Sequence, residues 1–147
     1  MKFIADVMLG TLAKRLRLLG LDVLYDHTLA DNDILRLALE QGRAILTRDI
    51  GLAARPLARN HVLISSDRVD DQVRQVLDVF PLFASKPLTR CSICNQPLSP
   101  LDRETARDRV PEHVLRTVMT FYECSGCGRV YWEGSHVKDM AGRWKRK

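Results

Sequence analysis

Four acids in the first half of the chain, Asp6, Asp31, Asp33 and Asp49, have spacings that can do chemistry together. Separated carboxylates brought to one place bind a hard divalent cation, because Mg²⁺ and Mn²⁺ prefer oxygen ligands and keep some water. Such an ion activates water and neutralises charge developing on a phosphodiester. Lys14, Arg15 and Arg48 are the cations placed to hold phosphate oxygens beside those acids. Taken singly, each acid has a plainer role: Asp31 as a helix N-cap, Asp49 as the cap of a short helix, Asp6 as a turn former. Taken together with the cations, they favour a phosphate site.

The second constellation is Cys91-x-x-Cys94 and Cys124-x-x-Cys127, with 29 residues between the pairs. Paired CxxC units in a cytoplasmic chain read as a tetrahedral zinc site rather than as disulfides. Four thiolates leave no position open, so the expected role is structural. A thioredoxin-like redox role is the rival reading, and the duplicated motif and missing βα context count against it. Asn95 and Gly128 follow the second cysteine of each pair and tolerate the left-handed backbone such turns use.

The elements that must position these groups show in the apolar periodicity. Residues 2–5 (KFIA) form a short strand that delivers Asp6. Met8, Leu9, Leu12, Ala13, Leu16 and Leu19 mark an amphipathic helix ended by Gly20, with Lys14, Arg15 and Arg17 mostly off its stripe. Residues 21–25 (LDVLY) resume as a strand. Ile34, Leu35, Ala38 and Leu39 predict a second helix from Asp31 or Asp33 to Gly42, and residues 44–47 a buried strand before Asp49. Residues 50–58 predict a short helix ended near Pro56, residues 61–65 a fourth strand, and residues 69–80 a helix. Right-handed crossovers make these strands parallel and put Asp6, Asp31 and Asp49 on the carboxyl rim. Residues 81–90 read as a proline-punctuated linker. Pro111 suits the first position of a helix over residues 112–119, and residues 129–132 return as a strand.

The net charge of +5 in 147 residues is unevenly placed. Residues 1–85 hold 11 basic and 11 acidic residues, whereas residues 86–147 hold 12 basic and 7 acidic ones. A basic second part ending Arg143-Trp144-Lys145-Arg146-Lys147 suits nucleic-acid contact, and Tyr131, Trp132 and Trp144 offer rings for stacking bases. A solubilising tail, and a ribbon core for Tyr131 and Trp132, are the plainer readings. No apolar run reaches membrane-spanning length, and Asp6 interrupts what a signal peptide would need, so a cytoplasmic protein is expected.

Read in order, these residues carry a resemblance. Asp6-x-Met8-Leu9-Gly10 is followed by residues 12–22 (LAKRLRLLGLD), by Asp31 ahead of Ile34-Leu35, and by Leu46-Thr47-Arg48-Asp49. The second part continues with Arg90-Cys91, Cys94-Asn95, Cys124, Cys127-Gly128 and Val130-Tyr131-Trp132-x-Gly134-Ser135-His136. The succession resembles the Mut-seven C-terminal RNase domain family, a PIN-like group in which a zinc ribbon follows the nuclease half. The resemblance implies metal-dependent RNA cleavage at Asp6, Asp31 and Asp49, and structural zinc on Cys91, Cys94, Cys124 and Cys127. The family usually has an aromatic where this chain has Leu16, a packing change. PIN nucleases usually carry four acids; here the fourth is open between Asp33, Asp67 and none.

The expected fold is α/β: a PIN-like α/β/α sandwich with a short parallel sheet over residues 1–85, then a small zinc ribbon with a basic tail over residues 86–147. The expected activity is that of a Mg²⁺- or Mn²⁺-dependent ribonuclease acting on RNA, with one structural Zn²⁺ and no membrane partner. The alternative is a non-catalytic RNA- or ribosome-binding module with a vestigial PIN half.

Overall fold

The computed structural model describes residues 1–80, 86–134 and 138. Residues 81–85 of the expected linker, Ser135 and His136, and the tail with Arg143, Trp144 and Lys145 lie outside the described residues.

The first 80 residues alternate strand and helix. They run through β1 (Lys2–Ala5), a 3₁₀ turn (Val7–Leu9), α1 (Gly10–Leu18), β2 (Asp22–Leu24), α2 (Asp31–Gln41), β3 (Arg43–Thr47), α3 (Ile50–Ala53), β4 (His61–Leu63) and α4 (Val69–Val79). The four strands are parallel and lie in the order β2-β1-β3-β4. Their side chains alternate between faces, as the pleat requires. Phe3, Ala5, Ala44 and Leu46 meet Leu12, Leu16, Val73 and Val76 on one side, so α1 and α4 cover that face. Ile4 and Ile45 meet Ile34, Leu35, Ala38 and Leu52 on the other, where α2 and α3 lie. Each fully buried Val, Leu, Ile or Phe side chain among them contributes about 1.5–3 kcal/mol of apolar transfer free energy.

Strand order decides where a site can form. From β1 the chain crosses by α1 to β2 on one side, then by α2, over the opposite face, to β3 on the other side of β1. The connections therefore diverge between β1 and β3. In open parallel sheets the crevice for ligands opens at the carboxyl ends of such a pair.

The local readings hold with small shifts. Gly42 ends α2 in the left-handed conformation. The helix expected over residues 50–58 is one turn, Ile50–Ala53, because the approach to Pro56 disfavours helical backbone. Ala30, not Asp31 or Asp33, is the N-cap of α2, and Pro111 stands one residue before the helix Glu112–Thr117 rather than in it.

A second, antiparallel sheet follows, with order β5-β6-β7, built from β5 (Leu98–Leu101), β6 (Phe121–Cys124) and β7 (Val130–Trp132). Short helices α5 (Arg103–Ala106) and α6 (Glu112–Thr117) supply Ala106 and Val114 to a small core around Phe121, with Trp132 packed against it. Strand β5 and helix α5 lack any apolar periodicity, and neither was legible in the sequence. Residues 86–90 are docked rather than loose: Leu88 is buried and its N–H donates to the Leu18 carbonyl at 3.1 Å.

Candidate active site and cysteine centre

Asp6 leaves β1 and Asp49 follows β3 by two residues, so both stand at the divergence of the sheet connections. Thr47 joins them. Its hydroxyl donates to Asp6 Oδ2 at 2.8 Å, and the same oxygen accepts the Asp49 N–H at 2.9 Å. Asp6 is 4% exposed, and among the described residues no cation pairs with it. A buried carboxylate without a counter-charge is costly. Asp6 Oδ1 also accepts the Val7 N–H at 2.7 Å, and Asp49 Oδ1 accepts the Leu52 N–H at 3.2 Å. Both acids thus do cap the turns that follow them, and those bonds aim their carboxylates along the rim.

Asp31 opens α2 on the same rim and is exposed. Asp33 serves the helix itself: its Oδ2 accepts the Ala30 N–H at 3.3 Å, and its Oδ1 lies 3.7 Å from Arg36. Arg55 donates to Asn32 at 3.1 Å, tying the chain after α3 to the start of α2. Among the described residues, the acids do not form a convergent group of three or more ligand atoms; the four cysteines do. Two carboxylates at the crevice still suit Mg²⁺ or Mn²⁺, which bind through one or two carboxylates plus water and substrate phosphate.

The cations divide. Lys14 is exposed, Arg15 lies 3.7 Å from Asp70 across the α1–α4 contact, and Arg48 is half-buried beside Asp49. The Arg48 Nε is buried without a hydrogen-bond partner among the described residues.

In the second sheet all four cysteines are free, and their Sγ atoms lie within 4.8 Å of one another. Cys91 and Cys127 are 3.7 Å apart. A tetrahedron with Zn–S bonds of 2.3 Å has edges of about 3.8 Å, so the cluster fits a structural zinc ion. Burial pushes the Cys91 thiol up, but hydrogen bonds from the Tyr131 hydroxyl and the Cys94 and Ile93 N–H groups outweigh it and hold the thiol at about 7. Cys94 is pushed up to about 12 by its hydrogen bond with Cys127, by burial and by the neighbouring thiolates, and burial also raises Cys124. The Cys91 thiolate forms readily, whereas Cys94 and Cys124 resist until a cation joins them. Tyr131 is therefore engaged here, its hydroxyl 3.0 Å from Cys91 Sγ, rather than displayed for a base.

Sequence reasoning missed Thr47, Arg17, Asp22 and Asn95. Arg17 is 4% exposed, not off the buried stripe, and its Nε donates to the Val23 carbonyl at 2.9 Å. Asn95, left-handed as expected, accepts the Val23 N–H at 3.0 Å and donates to Asp22 at 2.7 Å. Both outward backbone groups of edge residue Val23 are thus satisfied, one by α1 and one by the first cysteine turn. A polar residue closing an apolar strand, and an arginine three residues before a helix-ending glycine, were the available signals.

A parallel four-stranded sheet with acids at its switch point, joined to a small antiparallel sheet beside four clustered cysteines, defines an α/β protein with an appendage whose thiols fit a metal ion. The chain belongs to the Mut7-C RNAse domain family, whose model matches residues 1–144. A segment of 38 residues is 47% identical to the human exonuclease mut-7 homolog; it covers 24% of this chain and 4% of that much longer protein. No solved structure matches the chain.

Proposed function

We propose that the protein is a metal-dependent ribonuclease with its active site at the carboxyl ends of β1 and β3. The observation that carries this reading is Asp6, a buried carboxylate with no cation among the described residues, coupled through Thr47 to Asp49 at the switch point. Asp6 and Asp49 would hold Mg²⁺ or Mn²⁺, with Asp31 completing the rim; Asp33 supports the start of α2. The chemistry such an ion supplies is activation of water and neutralisation of phosphoryl charge. Thr47 fixes the Asp6 carboxylate and the backbone that carries Asp49, Arg48 meets a phosphate oxygen, and Lys14 guides the backbone of the RNA. Arg15 joins it only by leaving Asp70. Residues 1–85 act as the PIN-like catalytic unit. Residues 86–147, held by zinc on four thiolates, assist RNA binding.

The test is cleavage of end-labelled single-stranded RNA with and without Mn²⁺, beside Asp6→Asn and Asp49→Asn. Cleavage by the wild type alone, and only with the ion, is expected. Equal cutting by both variants would sink the assignment, and salt-sensitive binding without cleavage would favour the non-catalytic module.

A further inference from the structure

The x-x peptides of Cys91-x-x-Cys94 are held from both ends. On the carbonyl side, Arg17 Nη1 donates to Ser92 O at 3.0 Å and to Ile93 O at 3.1 Å. On the amide side, the Cys94 N–H donates to Cys91 Sγ at 3.3 Å, and the Ile93 N–H also hydrogen-bonds that sulfur. The Ile93 carbonyl and the Cys94 N–H belong to one peptide group, and the Ser92 carbonyl and the Ile93 N–H to the next. Each peptide therefore stands as a dipole between the guanidinium and the Cys91 sulfur. Hydrogen bonds in such chains polarise one another, so a cation at the carbonyl end strengthens the N–H···S⁻ bond at the other.

The geometry points to Arg17 as the outer positioning residue of the zinc centre, one that acts on Cys91 through two peptide groups and ties the centre to the edge of β2. This rests on the zinc reading above. Arg17 comes from α1, 74 positions before Cys91, and its Nε simultaneously holds the Val23 carbonyl. A zinc ion with four thiolates carries about −2, and Arg17 brings an opposite charge to its buried side. Burial lowers the Arg17 pKa, while the Cys91, Cys94 and Asp22 charges oppose that fall. Tyr131 completes the same shell by accepting the Ser92 N–H at 3.1 Å while its hydroxyl meets Cys91.

The full chain is loaded with Zn²⁺ or with Co²⁺, and Arg17→Gln is compared with Asn95→Gly. The second variant keeps the left-handed turn and cuts the side-chain ties to β2 without touching the two carbonyls. Arg17→Gln is expected to weaken zinc about 10–100-fold, read by transfer to a chromogenic chelator. It should also move the thiolate-to-cobalt charge-transfer band to longer wavelength, because a thiolate with less positive surroundings gives up an electron more easily. Asn95→Gly should leave both readings within about twofold of the wild type. A folded Arg17→Gln protein with wild-type zinc transfer and an unmoved band overturns the inference. So does an Asn95→Gly protein that reproduces both changes, since loosening the interface would then explain them. Should Arg17→Gln fail to fold, Arg17→Lys decides, since its single ammonium cannot hold the Val23, Ser92 and Ile93 carbonyls together: weaker zinc retention than the wild type is expected, and wild-type zinc transfer overturns the inference. A wild-type chain that takes up no zinc sinks the zinc reading and this inference together, whereas zinc uptake with the overturning results above sinks this inference alone.

Discussion

Thr47 Oγ1 and Asp6 Oδ2 are 2.8 Å apart although they lie 41 positions apart in the chain, and the same hydroxyl oxygen accepts the Asp49 N–H. One side chain on β3 thus sets the carboxylate at the end of β1 and the backbone that carries the next acid. Thr47→Val keeps the strand-forming shape and deletes the hydroxyl. It is expected to cost about 1–3 kcal/mol in urea unfolding, since it strips a partner from a buried charged group. RNA cleavage should fall about 10–100-fold, as when an outer partner of a metal ligand is lost. Thr47→Ser should recover most of both. Full activity in the valine variant would remove Thr47 from the site.

Divalent ions should stabilise the folded chain by mass action. At Mn²⁺ a hundredfold above its dissociation constant the gain is about 2.7 kcal/mol. Thermal unfolding of the wild type should shift upward with Mn²⁺, and the shift should vanish in Asp6→Asn and in Asp49→Asn. An equal shift in all three proteins would place the ion elsewhere.

Zinc removal should act on the second sheet first. That sheet has a core centred on three buried residues, a size at which a metal staple is expected to matter. Elemental analysis should find about one zinc per chain, and Cys124→Ser should lower that value. A strong chelator should also abolish amide protection across β5, β6 and β7. Retained protection after complete removal of the metal would show that apolar packing suffices.

Acid should loosen the join between the sheets. Burial works against the Asp22 carboxylate, but hydrogen bonds from Arg43 and Asn95 and the charges of Arg43 and Arg90 outweigh it, so its pKa lies below the usual carboxylate value. Arg43 donates to it at 2.7 Å and Arg90 lies 3.8 Å away. The unfolded chain therefore takes up the proton first. The stabilisation is fully present above the unfolded value of about 3.9 and is lost as pH falls through the lower, folded value. Asp22→Asn should cost about 1–3 kcal/mol at neutral pH, and the gap to the wild type should close as pH falls below that range. A gap that stays constant as pH falls through and below that range would rule out this linkage.

Gly20 should tolerate no side chain. Its φ is +93°, and a Cβ there would stand 2.2 Å from the Lys86 carbonyl oxygen. Gly20→Ala combines left-handed strain with a backbone clash that would push residues 86–89 off the end of α1. A loss of at least about 2 kcal/mol in urea unfolding is expected. A loss under half of that would mean the segment moves aside freely.

By itself the sequence determined what local chemistry and periodicity control. Apolar spacing placed the four parallel strands and the long helices, because burying one stripe or one face leaves few arrangements. The CxxC pairs named the four cysteines whose sulfurs gather, because thiolates at that spacing have few other uses. Asp6 and Asp49 were legible as acids following strands. Tertiary structure decided what depends on strand order and on contacts distant along the chain. The order β2-β1-β3-β4 puts the switch point between β1 and β3, and only then does Thr47 reach Asp6. The contact of Asp33 with the Ala30 N–H likewise appears only in the folded chain. Arg17 looked like one more helix-surface cation, yet it is buried where α1, the edge of β2 and the first cysteine turn meet. Hydrophobic periodicity records which residues leave water; it does not say which charged group will be taken along to satisfy backbone groups that come together only after folding.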